Sequence, residues 1–320
     1  MRLTRSLPLI ALSLAWPITR AGAQTKDLAF IATRGLSEKD FPRARELAPN
    51  VYSYEALRSE VGGQKTTVDL IVIGTDGVLV ADGQGNIAQT KQLVDWIATK
   101  TTKPIRYVVV CSDHGDHTGG NAAFPSSATF IASPVSKKVL EDAGKPPYPT
   151  EAVATRRVIH LGAIDVEVLP LGRSHTGGDL TVWVPDAKVL FLSETYVHQL
   201  FPAMRSAYPS EWIQTIKNAQ AIDATWYVPG HGFVDDAATL KSDLEASRRA
   251  LERIVAEGKR LHDAKISCVP SAARTTTGDA EPCEAVRRGN WGDLANWTVF
   301  GSQVETAVRR IYDELDGKLP

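Results

Sequence analysis

After residue 23 the chain has no apolar run long enough to span a bilayer, no low-complexity tract and no short-period repeat. A membrane-spanning body and a solenoid architecture are thereby excluded. Basic charge is not in excess: 36 Lys and Arg stand against 37 Asp and Glu, for a formal net charge of −1. That balance carries no electrostatic footprint for nucleic acid. Cysteine is scarce, with three residues, which leaves room for one internal disulfide at most. What is present is an ordinary globular composition, 43% hydrophobic and 23% charged, over 320 residues. A chain of this length buries a sizeable core and carries an appended piece besides.

The first 23 residues stand apart. Arg2 and Arg5 precede an apolar run from Leu7 to Trp16, and Ala21-Gly22-Ala23 closes the segment. This is the order of a secretory leader, cleaved after Ala23; as an anchor the run is too short and ends at Pro17. Arg2, Arg5 and Arg20 leave with it, so the formal charge of −1 falls by three to −4. The expectation is an exported, periplasmic chain whose mature form has no stable membrane insertion. Export permits disulfides. Cys268 and Cys283, in a loop-like stretch with Pro270, Gly278 and Pro282, are therefore expected to pair, contributing roughly 3 kcal/mol in the chain-entropy account. Cys111, at the end of an apolar strand, reads as a small buried residue.

Hydropathy patterning predicts a short helix through Phe41 to Leu47, then a hairpin of Val68 to Ile73 and Val78 to Ala81 about Asp76-Gly77. A helix with Ile87, Leu93, Val94 and Ile97 on one face follows, then a strand from Ile105 to Val110. A strand at Thr129 to Ala132 and a helix at 134–143 end this half. The second half predicts strands at 157–161, 163–169, 180–184 and 189–192, a helix opened by Pro209 and Ser210, and a strand at Thr225 to Val228. Two β-rich halves, each followed by helices, imply two packed sheets with helices outside. Beyond Gly232 the pattern turns helical, with Leu240, Leu244, Leu251 and Val255 on one amphipathic face and Val304, Val308, Ile311 and Leu315 on another.

Chemistry concentrates at three glycine-flanked segments just past strands. The first is Ser112-Asp113-His114-Gly115-Asp116-His117-Thr118-Gly119-Gly120-Asn121; the second is Gly172 to Asp179, holding His175; the third is Pro229-Gly230-His231-Gly232. Glu194, after the apolar Leu190-Phe191-Leu192, is a fourth candidate. Imidazoles and carboxylates gathered in this number point to a metal site, since a catalytic zinc takes three or four N and O donors.

This ordered set resembles the metallo-β-lactamase superfamily over roughly residues 50–235. The resemblance implies an αββα four-layer sandwich with the metals at one edge of the paired sheets. It divides the chain into a leader at 1–23, an N-terminal segment at 24–49, a metallo-β-lactamase-like domain at 50–262, and a helical C-terminal extension at 263–320 with the Cys268-Cys283 loop. One metal site would take His114 and His175, with Ser112 standing where the family has its first histidine. A second would take Asp116, His117 and His231, and Glu194 falls where the family often has a bridging Asp. A neutral hydroxyl is a weak donor, so zinc is expected firmly in the second site and weakly in the first, unless Asp113 turns inward. Asp82, in Ala81-Asp82-Gly83, would support the ligand loop from behind.

The expected activity is zinc-dependent hydrolysis of a small molecule, with hydroxide generated at the metal near pH 7 and Asp116 or Glu194 as general base. The bond would be an ester, lactone, thioester or amide, a β-lactam among them. The alternative is a metal-binding accessory protein of low activity serving a periplasmic quinoprotein dehydrogenase system. His198, Arg205 and Tyr208, after Glu194, are candidates for lining the cleft, binding a substrate anion or forming a surface loop. His160 and His262 read as structural, and the Trp residues mostly as core. Substrate identity and oligomeric state are not legible.

Overall fold

The computed structural model of the protein describes residues 31, 33–60, 63–269 and 281–320. The leader expected at 1–23 lies outside the described residues. The first strands are β1 (Arg43–Ala48), β2 (Val51–Glu60), β3 (Gly63–Ile73), β4 (Val78–Ala81), β5 (Ile105–Val109), β6 (Thr129–Ala132) and β7 (Glu151–Ala152). The later ones are β8 (Arg157–His160), β9 (Asp165–Leu169), β10 (Thr181–Val184), β11 (Val189–Val197) and β12 (Trp226–Gly232). Between and after them lie α1 (Ile87–Lys100), the single turn α2 (Gly115–Thr118), α3 (Pro134–Asp142), α4 (Pro209–Gln220), α5 (Ala237–Asp263), α6 (Glu284–Arg288) and α7 (Phe300–Leu315).

Strand β3 is the branch point of the sheet. β2 pairs along it from Val51↔Val72 to Glu60↔Gly63, while β4 takes Leu70 to Ile73 and β12 takes Thr66 and Thr67. From there the strands run as two leaves, β4-β5-β6-β7 and β12-β11-β10-β9-β8. The two sheets expected from the sequence are thus one curled sheet, continuous through β3 and β12, and the αββα layering holds.

The period of two along β3 and β4 explains the layers. Val68, Leu70, Val72, Leu79 and Ala81 face the core shared with Val166, Val168, Val182 and Phe191 of the second leaf. Ile71, Ile73, Val78 and Val80 face outward, onto Leu93 and Ile97 of α1 and Leu140 of α3. The second leaf is covered by Trp212 and Ile216 of α4, by Leu244, Leu251 and Ile254 of α5, and by Val304, Val308 and Ile311 of α7. The C-terminal helices therefore share the core of the sheet. Trp212 and Trp291 are buried, and Trp96, Trp183, Trp226 and Trp297 are half-buried at its margin.

Cys268 and Cys283 are joined, with Cα atoms 4.9 Å apart, and Cys111 is free and buried. Three expectations need correction. Phe41 to Leu47 is not a helix: Arg43–Ala48 is an edge strand whose backbone groups pair with β2 from Arg43↔Glu55 to Ala48↔Val51, a partner local periodicity does not reveal. β11 runs on to Val197 and β12 to Gly232, so Glu194 and His231 sit within strands and not past their ends. Ile87 is exposed and takes no part in the buried face of α1.

Two further interactions set stability. Glu55 is fully buried; Arg43 Nη2 donates to its Oε1 at 2.8 Å and the Val234 backbone N–H to its Oε2 at 2.9 Å. Burial pushes this carboxyl up to about 7 against the pull of Arg43. Gly258, inside α5, lies under α7: an added Cβ would sit 2.8 Å from Ile311 Cδ1. A mid-helix glycine costs up to about 1 kcal/mol in propensity, and here the close approach of two helices accounts for it.

The folded state holds the Glu55 proton more tightly than the unfolded chain, whose carboxyl titrates near 4.5. Its contribution to stability is therefore complete below pH 4.5 and declines as pH rises through about 7. Urea unfolding across that window should show the decline in the native chain and a flatter profile in Glu55→Gln. Gly258→Val should lose about 1–3 kcal/mol from overpacking in the same assay; a gain in stability would mean α7 yields freely.

Candidate metal centre

The functional side chains converge where the two leaves meet at β3 and β12. Parallel β4, β5 and β6 deliver the first loop from the C-terminal end of β5, where ligands gather in open sheets. The second loop leaves β9. Glu194 is aimed by a register shift in β11 on either side of Ser193, whose φ is +47°. Gly230 of the neighbouring strand fits against that bulge because it has no side chain: a Cβ there would lie 2.4 Å from the Ser193 carbonyl carbon.

Two donor groups result, one of Asp116, His117, Glu194 and His231, the other of His114, His175 and Glu194. All six residues expected as ligands are thus brought together, and Glu194 belongs to both groups. In the first group His231 Nε2 lies 3.1 Å from Asp116 Oδ2, 3.1 Å from Glu194 Oε1 and 3.2 Å from His117 Nε2. The edge of a tetrahedron with metal–ligand bonds of about 2.0–2.1 Å is about 3.3 Å, so these separations fit a zinc donor set.

Hydrogen bonding sharpens the test of fit. His231 Nδ1 is 2.9 Å from the Thr66 carbonyl, which only accepts, so Nδ1 carries a proton. In the neutral ring Nε2 is then a lone pair facing two carboxylates and another imidazole nitrogen. A cation at that point satisfies all four. The alternative is added protons, and the titration follows that logic. Burial favours neutral His117, yet Asp82 and Glu194 hold it well above the usual imidazole range. Burial likewise opposes ionised Glu194 and Asp116, but His175, His114 and His117 hold the first, and His231 the second, well below the ordinary carboxylate range. A bound metal takes the place of those protons.

The second group is weaker in donors. Glu194 Oε2 lies 2.6 Å from His175 Nδ1 and 3.2 Å from His114 Nδ1. The His175 contact has no hydrogen-bond alignment, leaving that buried nitrogen without a partner. Ser112, fully buried, donates its hydroxyl to the same Glu194 oxygen at 2.6 Å. It therefore competes for the carboxylate that a metal here would need. Asp113 does not compensate: its Oδ2 accepts from Ser136 Oγ at 2.9 Å, on the α3 side.

Asp82 stands behind both groups. Its Oδ1 accepts from the Cys111 N–H at 2.7 Å, and its Oδ2 accepts from Ser193 Oγ and lies 3.1 Å from His117 Nδ1. Its φ of +64° is a strained, left-handed backbone for a residue with a side chain. His198 is fully buried with Nδ1 on the Phe233 carbonyl at 2.7 Å, so it neither lines the cleft nor meets a substrate. Arg205 does line the cleft beside the ligands, and Tyr208 lines an adjoining hollow of about 500 Å³. His160 and His262 pair with Asp165 and Asp316 away from the site. Sequence reasoning missed Arg58, whose guanidinium lies 3.0 Å from Asp116 Oδ2. No motif marks it; only the strand pairing of β2 with β3 brings it there.

No protein-family profile matches the chain. A metallo-β-lactamase type 2 from Bacillus sp. (strain 170) is 25% identical over 205 residues, covering 62% of this chain and 80% of that protein. The metallo-β-lactamase type 2 of Bacteroides fragilis is 24% identical over 213 residues, 64% of this chain and 85% of that protein. Among solved structures, a metallo-β-lactamase from Pontibacter korlensis superposes with a TM-score of 0.60 at 22% identity, over 66% of this chain and 98% of that one. The DIM-1 metallo-β-lactamase gives 0.54 at 23%, over 64% and 97%. With the αββα layering, the curled sheet and the six clustered donors, these likenesses place the chain: it belongs to the metallo-β-lactamase-fold superfamily of metal-dependent hydrolases.

Proposed function

We propose that the chain is an exported hydrolase holding one zinc ion on Asp116, His117, His231 and Glu194, and cleaving an ester, lactone, thioester or amide. The observation that carries this reading is the Nε2 lone pair of His231, turned by Thr66 toward three further donors within 3.2 Å. When bound, zinc supplies a lowered pKa for water and a Lewis acid for a carbonyl oxygen. Asp116, ionised and partly exposed at the cleft, accepts the hydrogen of an incoming water, and Arg58 holds its carboxylate in place. Glu194, buried and ionised, carries the negative charge shared by the two histidine groups. Asp82 orients His117 and braces the loop through the Cys111 N–H. The names of the relatives make a β-lactam one candidate substrate. Export is supported by the leader-like order of residues 1–23 and by the Cys268-Cys283 bridge.

Residues 24–320, purified and assayed for metal content, should carry close to one zinc per chain and hydrolyse at least one of a β-lactam, a lactone, a thioester and an aryl ester. His231→Ala should lose the metal and at least a hundredfold in rate; activity that survives the substitution would refute the assignment. Ser112→His removes the competing hydroxyl and adds a donor, so zinc content should rise toward two per chain. An unchanged ratio would show that position 112 does not reach a metal at the second group.

A further inference from the structure

The ligands open into a cleft of about 560 Å³, a volume suited to a small molecule. Four cationic side chains line it: Arg58 on β2, Lys65 on β3, Arg205 in the loop after β11, and Arg309 on α7. The acids among its lining are Asp116 and Glu194, both in the donor set. In a chain of formal charge −1, this concentration of positive charge runs against the overall balance.

The four cations are not equally committed. Arg58 is engaged with Asp116 at 3.0 Å. Arg309 has a long contact of 3.7 Å with Glu305 on its own helix, an exposed pair that contributes little. Arg205 is exposed and forms no ion pair or hydrogen bond among the described residues. A divalent cation at the ligands would balance the two carboxylates and leave the four cations uncompensated. Low-dielectric cleft walls focus such a field and raise the local concentration of anions, and guanidinium forks match the geometry of carboxylate and phosphate.

We propose that the substrate is an acyl compound bearing a separate oxyanion group, carboxylate or phosphate, which Arg205 and Arg309 hold while the acyl carbon faces the ligands. This rests on the hydrolase reading above and narrows its substrate class. Arg309 comes from the helical C-terminal region, beyond the stretch of roughly 50–235 that carries the motifs. The C-terminal helices would then serve recognition as well as packing.

A matched ester series tests this: phenyl acetate, 4-acetoxybenzoate and 4-acetoxyphenyl phosphate, with the zinc-loaded chain and an Arg205→Gln, Arg309→Gln double variant. Both positions are exposed, so the variant should fold. In the native chain kcat/KM for an anionic ester should exceed that for phenyl acetate at least tenfold, through KM. The double variant should compress that ratio at least tenfold. Calorimetric titration with the products 4-hydroxybenzoate and 4-hydroxyphenyl phosphate reads the anion site without catalysis, and the variant should bind the preferred one at least tenfold more weakly. Preference for one of the two anions identifies the group. Anion binding without turnover of any ester would refute the hydrolase reading and leave the anion site standing. Turnover with an equal ratio in both proteins, or equal product binding by both, would overturn the proposal while the hydrolase reading stands.

Discussion

The carboxylate of Asp82 is the constraint on which the site depends. It stands one residue beyond β4 and reaches the backbone of β5 at Cys111, the bulge of β11 at Ser193 and the ring of His117. Three separate stretches of chain are thus set by two oxygen atoms. Fully buried and in a left-handed backbone, Asp82 is itself costly. The surrounding sheet must hold it, and β3, which pairs with β2, β4 and β12, is the strand that does so.

From that frame the asymmetry of the donor groups follows. Glu194 points one oxygen at His231 and the other at His175 and His114, so the two groups compete for a single carboxylate. Ser112 tips the competition, because its hydroxyl donates to the Oε2 side and occupies a lone pair there. A histidine at this position would offer a lone pair of its own. One substitution thus changes the position from a donor of electrons to a metal into a donor of a proton to a ligand, and the group around Asp116 and His117 keeps its full set.

Much of this was legible along the chain. The hairpin about Asp76-Gly77, α1, β6 and α3 follow from local pattern and turn chemistry, and the structure keeps them with shifts of a residue or two. His114, His117, His175 and His231 are legible because glycine-flanked histidines after apolar runs have few structural reasons to recur. β1 was not legible: its six residues become a strand only because β2 lies beside them. Arg58, Lys65 and Arg309 carry no signal either, since charged residues on a strand or helix face read as solvated surface until the fold turns them into one cleft.

By itself, then, the sequence determined the order of strands and helices and the identity of the donors, because periodicity and ligand chemistry are local properties of residue type. The tertiary structure decided which donors share a metal, what Ser112 touches and which cations face the cleft. Those depend on distances between residues such as Ser112 and Glu194, 82 positions apart, which only the closing of β12 onto β3 and β11 establishes.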